Sequence, residues 1–138
     1  PQKLAAIAGL SIDSKVEMLI AETAADDLLV VEEQMMPLLP IVRSNNFAEA
    51  VAAAKESEHG YKHSAMVHTM NVANMTHMAR AMDTTLFIKN GPCVAGLGMG
   101  GEGYISFSIA TTTGEGITTP RTFTRFRRCT LVDQLNII

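Results

Sequence analysis

Two segments of the chain carry hydrophobic residues at helical spacing, and each follows an asparagine of the kind that begins a helix. Asn46 precedes the first, with Glu49 three residues into it, and Gly60 ends that helix. Asn71 caps the second, whose apolar stripe is expected to face inward. That stripe consists of Val72, Met75, Met78, Ala79 and Met82.

Short apolar runs before, between and after these helices predict strands. The runs at residues 65–68 and 84–88 are typical of buried strands. Ahead of them, Pro37 and Pro40 exclude a helix and favour an extended segment. The order strand, helix, strand, helix, strand implies right-handed crossovers and a parallel sheet, hence an α/β fold.

The outer parts of the chain give weaker patterns. Residues 2–8 predict a short helix that ends at Gly9, and residues 16–21 predict a strand. Residues 28–31 form an apolar run of no assigned type. Residues 121–132 predict a long final strand, rich in threonine, arginine and aromatic residues, which suits an edge or an interface between subunits.

Eight of the ten glycines fall within residues 90–116, directly after the predicted strand 84–88. Glycine serves where the backbone takes positive φ or lies against another group. Ligands bind at the carboxyl edge of open α/β sheets, so this glycine-rich loop is expected to face a ligand or an interface. It contains GxGxxG twice, but the strand-like YISFSIATTT follows where a dinucleotide site needs a helix.

Composition and charge narrow the possible partners. The chain is 47% hydrophobic and 18% charged with a net charge of −3, which argues against general nucleic-acid binding. Four arginines between Arg121 and Arg128 favour pairing between subunits over contact with RNA. No apolar run has the length of a membrane span, and two cysteines suit a reducing cytoplasm. The start at Pro1, without methionine, means that processing or a fragment must be considered.

Candidate reactive groups each have a plainer interpretation. His59 and His63 have a spacing used for zinc, but Gly60 lies between them, so no metal is expected. Cys93 could be a nucleophile, although a small packing residue is favoured because no base is visible nearby. Glu32 or Glu33, at the entry to a buried run, is a candidate for a fixed polar contact.

Four motifs in order carry a family resemblance: VVEEQMMPLLPIVR, EHGYKHSAMVHTMNVANM, TTLFIKNGPCVAGLGMGGEG and RRCTLVD. With them the chain resembles the C-terminal part of the CoA-acylating aldehyde dehydrogenases, above all the acetaldehyde and propionaldehyde dehydrogenases associated with bacterial microcompartments. It departs from that group at Thr111 and Thr112, where Gly-Pro is typical, and at Cys93, where serine is usual.

The resemblance implies a fold and a reaction. The fold is a three-layer partial catalytic domain of the aldehyde dehydrogenase type, a mostly parallel sheet with helices on both faces and a C-terminal oligomerisation strand. In the reaction a cysteine attacks a small aldehyde, hydride passes to NAD, and CoA intercepts the thioester. Glu33 matches the glutamate that holds the nicotinamide ribose, and Met35 matches the position where the broader superfamily often has phenylalanine beside the nicotinamide. The substrate pocket is expected to be lined by Asn90, Cys93, Leu97, Gly98, Gly100 and Gly101.

The resemblance also implies what the chain lacks. The nucleophilic cysteine and the dinucleotide-binding domain lie upstream in this family, so the chain is expected to be a fragment that is inactive alone. Residues 1–118 would form half of the catalytic domain, and residues 119–138 the oligomerisation strand and tail of a homo-oligomer. The alternative is a non-catalytic interaction module. The expected location is the cytoplasm, or the interior of a microcompartment, with no membrane or nucleic-acid partner.

Overall fold

A computed structural model describes residues 1–109 and 116–133 of the chain. Four α-helices and four strands lie in this part of the chain, followed by two 3₁₀ helices. In chain order the α-helices and strands are α1 (Gln2–Ile7), β1 (Leu19–Glu22), α2 (Leu28–Val31), β2 (Leu38–Ile41), α3 (Phe47–Ser57), β3 (Ser64–Val67), α4 (Val72–Met82) and β4 (Leu86–Lys89). The 3₁₀ helices are Cys93–Leu97 and Pro120–Phe123.

The strands are parallel, as predicted, but they form two pairs instead of one sheet. β1 pairs with β2, and β3 pairs with β4. On β2, the carbonyl groups of Pro37 and Ile41 accept hydrogen bonds from the β1 side. Backbone hydrogen-bonding groups point alternately to the two edges of a strand, so the nitrogen of Pro40 faces the edge of β2 that lies away from β1. Proline has no N–H, so it cannot donate a hydrogen bond there. Pro40 thus marks that edge of β2 as one where pairing is weakened.

The two predicted helix starts are confirmed. The Asn46 side chain accepts a hydrogen bond from the Glu49 backbone N–H at 3.0 Å, and the Asn71 side chain accepts from Ala73 at 2.9 Å. The inward stripe of α4 is correct at its end, where Met82 is buried. It is wrong at Val72, the first residue of α4, which is 72% exposed.

Three further expectations are corrected. The apolar run at residues 28–31 is the helix α2, begun by Asp27, whose carboxylate accepts the Leu29 N–H. β1 begins at Leu19, three residues after the predicted start. The 3₁₀ helix Pro120–Phe123 replaces the start of the predicted final strand, because Thr119 and Thr122 form a capping box and Pro120 favours a first helical position.

Ile117, directly after the glycine-rich loop, packs on β4, and the described residues around it form no strand. Ile109 and Ile117 make one antiparallel bridge, and the strand-like residues 110–113 lie outside the described part. A buried cluster joins Leu86, Ile88, Leu97 and Ile117. In the described part of the chain, none of the helices has the length and apolarity needed to cross a membrane. The expected boundary at residues 118/119 stays a prediction.

Candidate functional site

A cavity of about 620 Å³ lies where three segments of the chain meet: the end of α2, the end of α3 and the start of β3. This volume is in the range of small-molecule sites. The lining carries three carboxylates, two imidazoles and a phenol. It consists of Val30, Glu32, Glu33, Ser57, Glu58, His59, Tyr61, His63 and Ser64.

His59 holds two walls of this cavity together. Its ring Nε2 lies 2.6 Å from the backbone carbonyl oxygen of Val31, although the two residues are 28 apart in sequence. A carbonyl can only accept, so Nε2 must carry the proton and donate. The carbonyl groups of a last helical turn have no partner within the helix, and His59 satisfies one of them at the end of α2.

Glu58 shapes the loop that carries the two histidines. Its carboxylate accepts hydrogen bonds from the backbone N–H of Gly60 at 3.0 Å and of His63 at 3.2 Å. The Nδ1 of His63 lies 2.6 Å from the Ser64 hydroxyl oxygen, which fixes the plane of that imidazole. The loop between α3 and β3 therefore presents its polar side chains in a defined arrangement.

Glu33 and Met35, the two residues expected to bind the dinucleotide, have different positions. Glu33 lines the cavity and is exposed, so its carboxylate is accessible to a ligand. Met35 is 96% exposed and is not part of the lining. The described structure thus brings Glu33, but not Met35, together with the histidines.

Asn90 joins the ends of β3 and β4. Its side-chain oxygen accepts from the Thr69 N–H at 2.8 Å, and its amide nitrogen donates to the Thr69 carbonyl at 3.0 Å. Its backbone has φ of 54°, a conformation that asparagine tolerates better than most residues. The side chain therefore closes the turn between β3 and α4.

The other expected pocket residues lie on the 3₁₀ helix Cys93–Leu97 and in the glycines after it. Leu97 is buried at 7% exposure in the cluster on β4, and the free thiol Cys93 packs at the edge of that cluster. Gly98 and Gly100 have positive φ, and a Cβ on Gly100 would meet open space. None of these residues lines the cavity beside Glu33.

The last glycines of this group let the loop lie against its own backbone. A Cβ on Gly101 would come within 2.5 Å of the Ala95 carbonyl oxygen, and one on Gly103 would overlap the Gly96 carbonyl oxygen. Gly103 also has φ of 133°. These two glycines are required by the fold of the loop itself.

Charged pairs near the site are at the surface. Lys62 and Asp83 are 2.6 Å apart and join the loop before β3 to the turn before β4. The hydrogen bond to Asp83 raises the pKa of Lys62 above its ordinary value, aided by the charge of Asp83. Among the described residues, no cluster of histidine, cysteine and carboxylate side chains has a geometry for a metal ion.

Sequence reasoning weighed His59 and His63 as zinc ligands, favoured surface or hydrogen-bonding roles for them, and did not select Tyr61 or Ser64. The signal that could have found them is their place between the end of one helix and the start of a buried strand. Their place beside Glu33 in the cavity lining depends on α2, which the sequence did not predict as a helix. Only the folded chain brings these segments together.

Comparison with known proteins identifies the relatives of the chain. No protein-family model matches it. The acetaldehyde dehydrogenase (acetylating) of Escherichia coli is 50% identical over 99% of the chain, which spans 29% of that enzyme. A propionaldehyde dehydrogenase from Rhodopseudomonas palustris, solved with bound CoA and an acylated cysteine, superposes with a TM-score of 0.83 at 42% identity. The match covers 94% of the chain and 30% of the solved structure.

A second solved structure connects the chain to microcompartments. It is a propionaldehyde dehydrogenase from the fucose-utilisation microcompartment of Clostridium phytofermentans, with a TM-score of 0.84 and 43% identity over 98% of the chain and 31% of that structure. The partial domain of parallel strands and helices therefore has the dehydrogenase fold. The chain is thus similar, over nearly its whole length, to about three tenths of the acetylating aldehyde dehydrogenases of microcompartment type, which confirms the resemblance seen in the sequence.

Proposed function

We propose that this chain is part of an oxidoreductase that converts a short-chain aldehyde to acyl-CoA with NAD and CoA. The observation that carries the proposal is the placement of Glu33 in the lining of a cavity of about 620 Å³ that two imidazoles, His59 and His63, also line. The relatives are named as enzymes of this type, and the chain spans about 30% of their length. The chain would contribute one wall of the site, and sequence outside it the nucleophilic cysteine.

Glu33 fits the role of holding a nicotinamide ribose. An ionised carboxylate offers two acceptor oxygens, which suit the two adjacent hydroxyl groups of a ribose. The bound dinucleotide would supply the hydride acceptor. The carboxylate would orient it, and Met35, exposed after α2, would lie beside its ring once the site is complete.

His63 is the cavity residue best suited to move a proton. Imidazole is the most frequent general base in enzymes, and the contact with Ser64 orients this ring. The Nε2 of His59 is already committed to the Val31 carbonyl. His63 would therefore accept the proton of the CoA thiol in the proposed reaction. The glycine-rich loop from Asn90 to Gly101 would line the aldehyde pocket.

One assay with three proteins tests the proposal: the full protein as its gene encodes it, that protein with Glu33→Gln, and the 138-residue chain alone. Each is incubated with propionaldehyde, CoA and NAD, and NADH absorbance is followed. We expect turnover by the full protein and none by the chain alone. Loss of a charged acceptor costs about 1.5 to 3 kcal/mol, so Glu33→Gln should raise the KM for NAD at least about tenfold.

Turnover by the chain alone would contradict the assignment of the nucleophile to other sequence. An unchanged KM for NAD in Glu33→Gln would contradict the dinucleotide contact. Glu17→Gln is the matched control, because Glu17 is an exposed carboxylate outside the cavity, and it should leave the KM unchanged. If the proposal holds, the protein acts in the cytoplasm or, like the Clostridium relative, in a microcompartment.

The described end of the chain favours a second role, association between copies through residues 121–132. Its apolar side chains are exposed: Phe126 is 92% exposed, Val132 83% and Phe123 75%. The described residues after Phe123 have no strand partner among residues 1–109 and 116–133. An extended, unpaired segment of this kind is a template for pairing with a second copy.

Light scattering on the full protein tests this role. We expect a dimer or larger assembly, and a lower mass for Phe126→Glu, because a carboxylate in an apolar contact would be buried without a partner. Ile7→Glu, which changes an 85% exposed side chain on α1, should keep the mass of the parent. A monomeric parent at high concentration would rule out this role.

A further inference from the structure

His59 has a strained backbone and a long-range hydrogen bond at the same position. Its φ is 56°, a left-handed conformation that few residues other than glycine adopt. Its Nε2 donates to the Val31 carbonyl across 2.6 Å, and its ring contacts Tyr61 edge to face. Strain of this kind costs about 1 to 3 kcal/mol and persists where the surrounding structure requires it.

The geometry points to His59 as a positioning residue for Glu33, and this inference rests on the proposed dinucleotide role of Glu33. Val31 is the last residue of α2 and lies two positions before Glu33. The bond from His59 fixes that end of α2 against the loop that carries His63. It therefore sets the separation between the carboxylate and the imidazole across the cavity.

α2 itself holds this part of the chain only weakly. α2 is a single helical turn of four residues with no buried side chain, and Glu32 and Glu33 follow it as exposed residues. A four-residue helix has little stability of its own. Without the bond from His59, the end of α2 and Glu33 should move away from the α3–β3 loop, and the dinucleotide would bind to a wider, less ordered site.

Two substitutions at His59 distinguish the effect of its hydrogen bond from the effect of its positive-φ backbone. His59→Gln keeps an N–H donor at about the same distance from the backbone. His59→Asn tolerates positive φ better, but its amide is one atom too short to reach Val31. In the full protein we expect His59→Asn to raise the KM for NAD about tenfold, with the KM for propionaldehyde unchanged, because small misplacements in a site have effects of this size. His59→Gln should restore the parent KM.

Glu33→Gln, measured alongside, separates the possible failures. If Glu33→Gln leaves the KM for NAD unchanged, the dinucleotide role of Glu33 is wrong, and the positioning role of His59 that rests on it is wrong as well. If Glu33→Gln raises it and His59→Asn does not, the positioning role of His59 is overturned. Equal increases in the KM for NAD and for propionaldehyde in His59→Asn would also overturn it, as would a raised KM for NAD in His59→Gln. If the Asn variant does not fold, His59→Ala, which also removes the N–H donor to Val31, takes its place, and a parent KM for NAD in that variant overturns the positioning role.

Discussion

Gly103→Ala should destabilise the folded chain by about 3 kcal/mol. The added Cβ would overlap the carbonyl oxygen of Gly96, and the φ of 133° is one that L-amino acids rarely adopt. Backbone must move to relieve the overlap, and Gly96 is itself packed against Leu86 and Ile88. Urea unfolding of the parent and the variant measures the change.

Gly91→Ala is the matched control from the same loop. Its backbone lies outside the left-handed region, and its Cβ would meet Ile88 and Ala95 at 3.5 and 3.7 Å, which are ordinary contacts. We expect a change of less than about 0.5 kcal/mol there. Equal stabilities for Gly103→Ala and Gly91→Ala would show that the loop does not lie against its own backbone.

The sequence located the glycine-rich loop but not the reason for its glycines. A glycine needed for close approach looks the same in sequence whether a ligand or the chain's own backbone approaches it. Gly101 and Gly103 face carbonyl groups of the loop itself, whereas Gly100 has open space where its Cβ would lie. Gly100 is therefore the glycine in this set with open space beside it, and the pocket role of all of these glycines stays a prediction.

The regular elements were predictable where local chemistry decides them. Asn46 and Asn71 each cap a helix with their own side chains. The sequence pattern that predicts each helix start therefore consists of the same few residues that form the cap. α2 was missed because a four-residue run shows too little periodicity to be recognised. The separation into two strand pairs was missed because βαβ order implies parallel strands but does not say which strands are neighbours.

The candidate site was predictable only in part for a similar reason. Glu33 was found through the family resemblance, and the structure places it in the cavity. His59 was set aside because Gly60 separates it from His63, and its actual partner, Val31, lies 28 residues away. A contact between a side chain and a distant backbone carbonyl leaves no pattern in one sequence, since every residue has such a carbonyl.

Leu97→Ala should destabilise the chain by about 2 to 5 kcal/mol, although the resemblance assigns Leu97 to the wall of the aldehyde pocket. Leu97 is 7% exposed and packs with Leu86, Ile88 and Ile117, so the substitution leaves a cavity in the cluster that holds the 3₁₀ helix on β4. Urea unfolding gives the loss of stability, and the KM for propionaldehyde in the full protein gives any effect on the pocket.

Val94→Ala separates packing from pocket shape. Val94 lies on the same 3₁₀ helix but is 41% exposed, so its truncation should cost less than about 1 kcal/mol. If Leu97 serves to pack the core, Leu97→Ala lowers the free energy of unfolding much more than Val94→Ala, which leaves it nearly unchanged. Leu97→Ala could instead raise the KM for propionaldehyde without loss of stability. That result would place Leu97 at the substrate, because truncating a side chain that faces a pocket leaves the hydrophobic core intact.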